Sequence, residues 1–177
     1  GRGAGYKRQA GAAAAAAAGG EAPAAPVPED VYVVATAADA ARVAALLCHT
    51  YRGRAFACDT EVAGIDVKAE SPVGHGRLIC FSVYCGPDAH FGVGGPAPGG
   101  VPQNQLWVDL LGPEGPAVLE RFRPFFEDPG VPKVWHNYGF DRHAMATAGV
   151  QCRGFGGDTL HMARLWDSGR KGKGYCL

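Results

Sequence analysis

An apolar run at positions 56–62 (Phe-Ala-Cys-Asp-Thr-Glu-Val) carries two acidic side chains and is the strongest constraint on the fold. A short apolar run of this kind predicts a central strand of a sheet. Asp59 and Glu61 are separated by one residue, so both carboxylates point to one face of that strand, about 6–7 Å apart along it. Two neighbouring carboxylates repel each other and are costly to remove from water. A divalent cation offsets both costs, and hard oxygen ligands favour Mg²⁺ or Mn²⁺.

The acidic pair also has a simpler interpretation, in which the two side chains stand in solvent at the end of a strand. The tripeptide alone does not decide between this interpretation and a metal site. A second stretch of sequence therefore has to be considered with it.

That second stretch, residues 133–141, predicts a buried strand that runs into a helix. Asn137 and Asp141 lie four positions apart and share one helix face. Asp141 falls in the first helical turn, near the edge where strand ends open into a cleft. The alternatives are that Asn137 is a helix N-cap and that Asp141 is a favourable charge at the helix N-terminus.

The order of predicted elements indicates the fold class. Predicted strands come first in antiparallel order and then alternate with helices, which indicates a mixed α/β sheet. We expect a disordered Gly/Ala/Pro-rich linker at 1–30, a separate strand–helix element at 31–53 and the main domain at 54–177. The strands are predicted at 31–34, 55–62, 78–84, 90–93, 106–111 and 131–136. The helices are predicted from Thr36 and at 114–128, 137–149 and 158–166.

Composition limits the partners. Lys+Arg and Asp+Glu number 17 each, so no general positive field attracts nucleic acid, and any nucleic acid must be held locally. No stretch approaches the roughly 18–20 apolar residues of a membrane span. Most of the six cysteines lie in apolar runs, which predicts buried free thiols in a reduced compartment.

The two acidic stretches together resemble the first two motifs, Asp-x-Glu and Asn-x-x-x-Asp, of the DEDD 3′→5′ exonucleases. The resemblance is more specific than these motifs, because further strings match in order over about residues 54–177. They resemble the plant and algal organellar DNA polymerases, which are family A enzymes similar to bacterial DNA polymerase I. The matching strings are 59–62, 76–82, 125–129, 133–138 and 158–168.

The resemblance implies a ribonuclease H-like mixed sheet flanked by helices, with two Mg²⁺ or Mn²⁺ ions. It implies that the catalytic metal ligands are Asp59, Glu61 and Asp141. It also implies that the substrate end is contacted by Thr60, Asn137 and Tyr138. The expected partners are the single-stranded 3′ end of DNA and a polymerase domain in the same full-length chain, in a chloroplast or mitochondrion.

The family's fourth metal ligand lies in a Tyr-x-x-x-Asp or His-x-x-x-x-Asp motif, and the sequence departs from the family here. After Asp158, which we interpret as a helix N-cap, the candidates are Asp167 and Tyr175, and neither fits the motif. We therefore expect a domain that is truncated at its C-terminus and little active alone. An RNA 3′-end exonuclease of the same fold and a catalytically inactive nucleic-acid-binding module are the alternatives.

Overall fold

The computed structural model describes residues 26–96 and 98–169. Most of the predicted linker and the last eight residues lie outside this part. The strands are β1 (Val31–Val34), β2 (Phe56–Ala63), β3 (Arg77–Tyr84), β4 (Gln105–Asp109), β5 (Lys133–Trp135) and β6 (Phe155–Asp158). The helices are α1 (Ala37–Ala45), α2 (Gly115–Glu127), α3 (Tyr138–Thr147) and α4 (Thr159–Trp166), and a π-helical turn (Leu46–Thr50) continues α1.

One sheet contains all six strands, in the order β1-β4-β3-β2-β5-β6. Strands β2, β3 and β4 are antiparallel neighbours, whereas β1 is parallel to β4, and β5 is parallel to both β2 and β6. The predicted mixed α/β sheet is confirmed. The residues 31–53 that we set apart contribute β1, which is an edge strand of this same sheet, and α1, which packs on α2.

The start of α1 agrees with its sequence signal. The Thr36 hydroxyl oxygen accepts a hydrogen bond from the backbone N–H of Asp39 at 3.3 Å, as an N-cap does. The buried side of the helix is Ala40, Val43 and Ala44. The helix predicted from Thr36 is therefore confirmed.

Two elements differ from the prediction. Residues 90–93 form no strand: the amide of Phe91 donates to the carbonyl of Gln103, and the amide of His90 donates to the Tyr51 hydroxyl, so the backbone is satisfied as a loop. Strand β6 was missed, because its sequence, Phe-Gly-Gly-Asp, has no apolar alternation. It forms by pairing with β5, which a sequence pattern does not reveal.

The core is built around phenylalanines of α2 and the central strands. The ring of Phe56 lies edge-on to Phe125 at 5.0 Å between centroids. The ring of Phe81 lies edge-on to Phe122 and Phe126, at 5.1 and 5.0 Å. Such pairs add to the free energy gained by burial. Pro124 lies inside α2 without ending it. Because α2 covers the Phe56 face of β2, the alternate residues of that strand point away from this core.

One lysine is part of the core, where sequence rules predict an exposed side chain. Lys133 in β5 is fully buried, and its Nζ donates to the backbone carbonyls of Val131, Arg153 and Asp128 at 2.8, 3.0 and 3.2 Å. Burial lowers its pKa. The three carbonyls replace the lost water, so the amine ties β5 to the loops on both sides of it.

The cysteines within residues 26–96 and 98–169 are free thiols, as predicted, and most are buried. They are Cys48, Cys58, Cys80, Cys85 and Cys152. Over the same part of the chain, no helix has the length and apolar character needed to cross a bilayer.

Candidate active site

Strand β2 presents the predicted acidic pair on its open face. Buried and exposed residues alternate along the strand, and Asp59 and Glu61 are both exposed. In the register with β3, Asp59 lies opposite Ser82 and Glu61 lies opposite Cys80. Although both side chains reach solvent, the surrounding sheet removes enough water to raise the pKa of each. The negative charge of Asp59 raises the pKa of Glu61 further.

Asp141 reaches β2 from the first turn of α3. Its Oδ1 accepts two hydrogen bonds from Thr60, one from the backbone N–H at 3.0 Å and one from the hydroxyl at 2.6 Å. Thr60 is the residue between Asp59 and Glu61. The third carboxylate of the predicted set is therefore fixed to the strand that carries the other two.

Strand pairing explains why this amide is available to Asp141. The parallel β2–β5 register covers Phe56 and Ala57, and the amide of Phe56 donates to the Pro132 carbonyl at 3.0 Å. Amides of alternate residues point to the same edge of a strand, so the Thr60 amide points beyond the end of β5, which stops at Trp135. The Asp141 carboxylate supplies the acceptor that β5 no longer provides.

The Asp141 carboxyl has a pKa of about 7. Burial is the largest cause, since the residue is only 2% exposed. The Thr60 hydroxyl lowers the pKa, and the negative charge of Asp59 raises it again. Without a cation, a large share of the molecules therefore carry a neutral Asp141 at neutral pH.

The start of α3 differs from the simple capping interpretation. Asn137 is the N-cap by position, but its backbone is left-handed (φ 68°, ψ 52°) and its side chain makes no capping hydrogen bond. The cap comes from Asp158, whose Oδ1 accepts from the amide of Asn137 at 3.0 Å and whose Oδ2 accepts from the amide of Tyr138 at 2.9 Å. Asp158 also caps α4, as its own sequence position predicted.

The structure gives Tyr138 a packing role. Its ring lies between Trp135 and Phe155, at centroid distances of 5.6 and 5.0 Å, and its hydroxyl donates to the Cys152 carbonyl at 3.3 Å. Thr60 is likewise buried, and both its donors bind Asp141. Contact of these residues with a substrate stays a prediction, as it does for Asn137, whose side chain is exposed.

The donor set has the right chemistry for Mg²⁺ or Mn²⁺, because all three predicted ligands are carboxylates. The pKa values of Asp59, Glu61 and Asp141 are all raised, which marks carboxylates whose charge a cation would stabilise. In residues 26–96 and 98–169, however, no three His, Cys, Asp or Glu side chains are gathered closely enough to hold a metal ion. Asp59 and Glu61 lie on β2 and Asp141 binds that strand, but the three carboxylates do not form a closed metal-binding cluster.

Sequence reasoning missed how much Asp158 and Thr159 contribute to this region. Thr159 Oγ1 donates to the Trp135 carbonyl at 3.2 Å and lies 2.8 Å from Nδ1 of His136. His136 is therefore a hydrogen-bonding residue at the end of β5. An Asp-Thr pair at a helix start was the available signal, but it showed only the local cap.

Comparison with known proteins agrees with the resemblance seen in the motifs. The chain is 51% identical over 148 residues to DNA polymerase I B, chloroplastic/mitochondrial, of Arabidopsis thaliana, covering 83% of this chain and 14% of that protein. It is 49% identical over 149 residues to DNA polymerase I B, mitochondrial, of Oryza sativa subsp. japonica, covering 82% and 14%. The chain thus spans about one seventh of the length of these relatives. No family model matches.

Solved structures show the same fold at low sequence identity. The Trypanosoma brucei RNase D:GMP complex matches with a TM-score of 0.56 and 19% identity, over 83% of this chain and 40% of that one. The POL domain of Pol1 from M. smegmatis, in complex with DNA primer-template and dNTP, matches with a TM-score of 0.51 and 20% identity, over 74% and 19%. The predicted ribonuclease H-like fold is confirmed. By sequence, the chain is a homologue of a segment of the plant organellar DNA polymerases I.

Proposed function

We propose that this chain is a 3′→5′ exonuclease of the proofreading type, which removes nucleotides from DNA 3′ ends by metal-dependent phosphodiester hydrolysis. One observation carries the proposal: the Asp59 and Glu61 carboxylates share the open face of β2, and Asp141 is bound to the residue between them. We further propose that the chain is part of an organellar DNA polymerase, in a chloroplast, a mitochondrion or both. The names of its relatives support this.

The ligands for two Mg²⁺ or Mn²⁺ ions would be Asp59, Glu61 and Asp141. When bound, such ions supply a water activated for attack and a positive charge that stabilises the leaving 3′ oxygen. The chain's own contribution is to present these carboxylates in a fixed arrangement. The two hydrogen bonds from Thr60 hold Asp141, and the extended backbone of β2 sets the separation of Asp59 from Glu61.

The substrate end would bind beside these carboxylates. Asn137 has an exposed side chain at the start of the helix that carries Asp141, so it is positioned to contact a nucleotide. A single-stranded 3′ end suits such a site, because an unpaired terminus needs little free energy to separate from its stack. The balanced net charge also fits a short terminus better than a long duplex.

The test uses the full-length protein and a single-stranded DNA labelled at its 5′ end, with products resolved by electrophoresis. Asp59→Ala should remove nearly all 3′→5′ degradation in Mg²⁺ while the thermal unfolding temperature is kept or raised. The temperature can rise because carboxylate repulsion is relieved. The matched control is Asp88→Ala, which removes an exposed aspartate that binds Arg54. Wild-type activity in Asp59→Ala would show that the site assignment is wrong.

The same assay separates the alternatives. An RNA strand of equal sequence, degraded faster than the DNA, would favour an RNA 3′-end exonuclease. Binding without degradation by the full-length protein would favour a catalytically inactive nucleic-acid-binding module.

A further inference from the structure

The junction between β6 and α4 contains a buried aspartate that binds the starts of two different helices. Asp158 is 4% exposed and accepts four backbone N–H hydrogen bonds. Two come from its own helix α4, from Leu160 at 2.9 Å and His161 at 3.4 Å. The other two come from Asn137 and Tyr138, at the start of α3. A cap for α4 alone does not require the second pair.

The second pair of hydrogen bonds stabilises an unfavourable backbone conformation at Asn137. Asn137 is the one non-glycine residue in the described part of the chain with positive φ, and this left-handed conformation is unfavourable for residues with a Cβ atom, although less so for asparagine than for most. The Asn137 side chain does not offset this, because it makes no capping hydrogen bond to α3. The Asp158 carboxylate binds the amides on both sides of the turn and also places a negative charge at the helix N-terminus.

Neighbouring hydrogen bonds make the same junction rigid. Thr159 donates to the Trp135 carbonyl and lies 2.8 Å from Nδ1 of His136, so the end of β5 is fixed to the start of α4. Strands β5 and β6 are paired up to Trp135 and Asp158. The position of the start of α3 is therefore fixed by residues of the β6–α4 junction, which do not belong to α3.

The position of this helix start decides where Asp141 lies. Asp141 is one helical turn after Asn137, and its carboxylate contacts Thr60 at 2.6 and 3.0 Å. Catalytic groups must be held within about 0.5 Å of their productive geometry. A small shift or rotation of the first turn of α3 would displace Asp141 from Thr60.

We propose that Asp158 is a positioning residue for the exonuclease, which holds the first turn of α3 so that Asp141 stays on Thr60. It contacts neither the substrate nor the ions. This inference rests on the proposed function for its effect on activity, but not for its effect on the geometry of Asp141.

The test is Asp158→Asn in the full-length protein, because an asparagine side chain keeps the size but has one acceptor oxygen and no charge. We expect kcat on single-stranded DNA to fall about 10- to 100-fold, as for other groups that orient metal ligands, while KM changes little. The second readout is amide hydrogen exchange without metal. Exchange at Thr60 should accelerate roughly tenfold or more relative to Phe81, which lies opposite it on β3.

Thr36→Ala is the control, because it removes a side-chain cap at α1. It should leave kcat and the Thr60 exchange rate relative to Phe81 unchanged. If Asp158→Asn does not fold, the same two measurements are made on Asp158→Ser, whose single oxygen retains the α4 cap. Unchanged Thr60 exchange together with unchanged kcat would overturn the inference. If the wild type itself lacks nuclease activity, the proposed function fails, and the exchange ratio still decides the role of Asp158.

Discussion

Two buried aspartates near the start of α3 have opposite electrostatic environments. Asp141 is 2% exposed and Asp158 is 4% exposed, so burial raises the pKa of both. Asp141 receives two hydrogen bonds from Thr60, lies near the charge of Asp59, and has a pKa of about 7. Asp158 receives four backbone N–H hydrogen bonds, which outweigh burial and leave its pKa below the ordinary value.

The difference shows that burial by itself does not identify a functional carboxylate. A carboxylate whose charge is fully satisfied by backbone donors is suited to hold the fold. A carboxylate that is buried, under-supplied with donors and close to another acid is suited to bind a cation or a proton. The comparison therefore supports a structural role for Asp158 and a chemical role for Asp141.

The greatest effect of the difference between Asp141 and Asp158 should be on how the free energy of unfolding depends on pH without metal. The folded pKa of Asp141 is about 7 and its ordinary value is 3.8, so the folded state binds the extra proton between these values. Stability should fall as pH rises through this window and level off above it, by at most about 4 kcal/mol. Chemical denaturation at pH 5 and pH 8 measures the upper part of this window, where the expected loss is about 3 kcal/mol. Asp141→Asn should remove the contribution of Asp141 and leave a smaller slope from the raised pKa values of Asp59 and Glu61. An equal pH slope in both proteins would contradict the assignment.

A sharper test removes one donor from Asp141. Thr60→Val keeps the shape of the side chain and the backbone N–H but deletes the hydroxyl that donates at 2.6 Å. The pKa of Asp141 should rise further, and the free energy of unfolding at pH 8 should fall by about 1–3 kcal/mol, because an ionised carboxylate loses a partner. Carboxyl NMR titration and denaturation measure the two effects. A lower pKa in the variant would mean that the hydroxyl is not a donor to Asp141.

The Thr36 cap of α1 is the reference against which the stabilising effect of Asp158 can be measured, and its own effect should be the smallest. Thr36 binds one backbone N–H at the start of α1, where Asp158 binds four at two helices. Thr36→Ala should lower the free energy of unfolding by about 1 kcal/mol, the usual cost of an N-cap. Asp158→Asn should cost more by the same denaturation measurement. Equal losses would show that the second helix start does not depend on Asp158.

Local periodicity in the sequence was enough to predict part of the site. Alternation along β2 placed Asp59 and Glu61 on one face, because side chains of a strand point to opposite sides in turn. The strand-to-helix transition before Asp141 was also visible, since apolar runs and helical spacing are properties of a few adjacent residues. Both elements therefore appeared near their predicted bounds.

The tertiary structure alone decided how these parts are held together. Thr60 and Asp141 lie 81 positions apart, and Asp158 lies 21 positions after the Asn137 amide that it binds. These hydrogen bonds exist because β5 pairs in parallel with β2 on one side and β6 on the other, which brings three chain segments to one edge. The buried Lys133 and the short strand β6 depend on the same pairing. The sequence pattern around a residue predicts the strand or helix that contains it. The distant hydrogen-bond partner of that residue is fixed only when the strands have aligned.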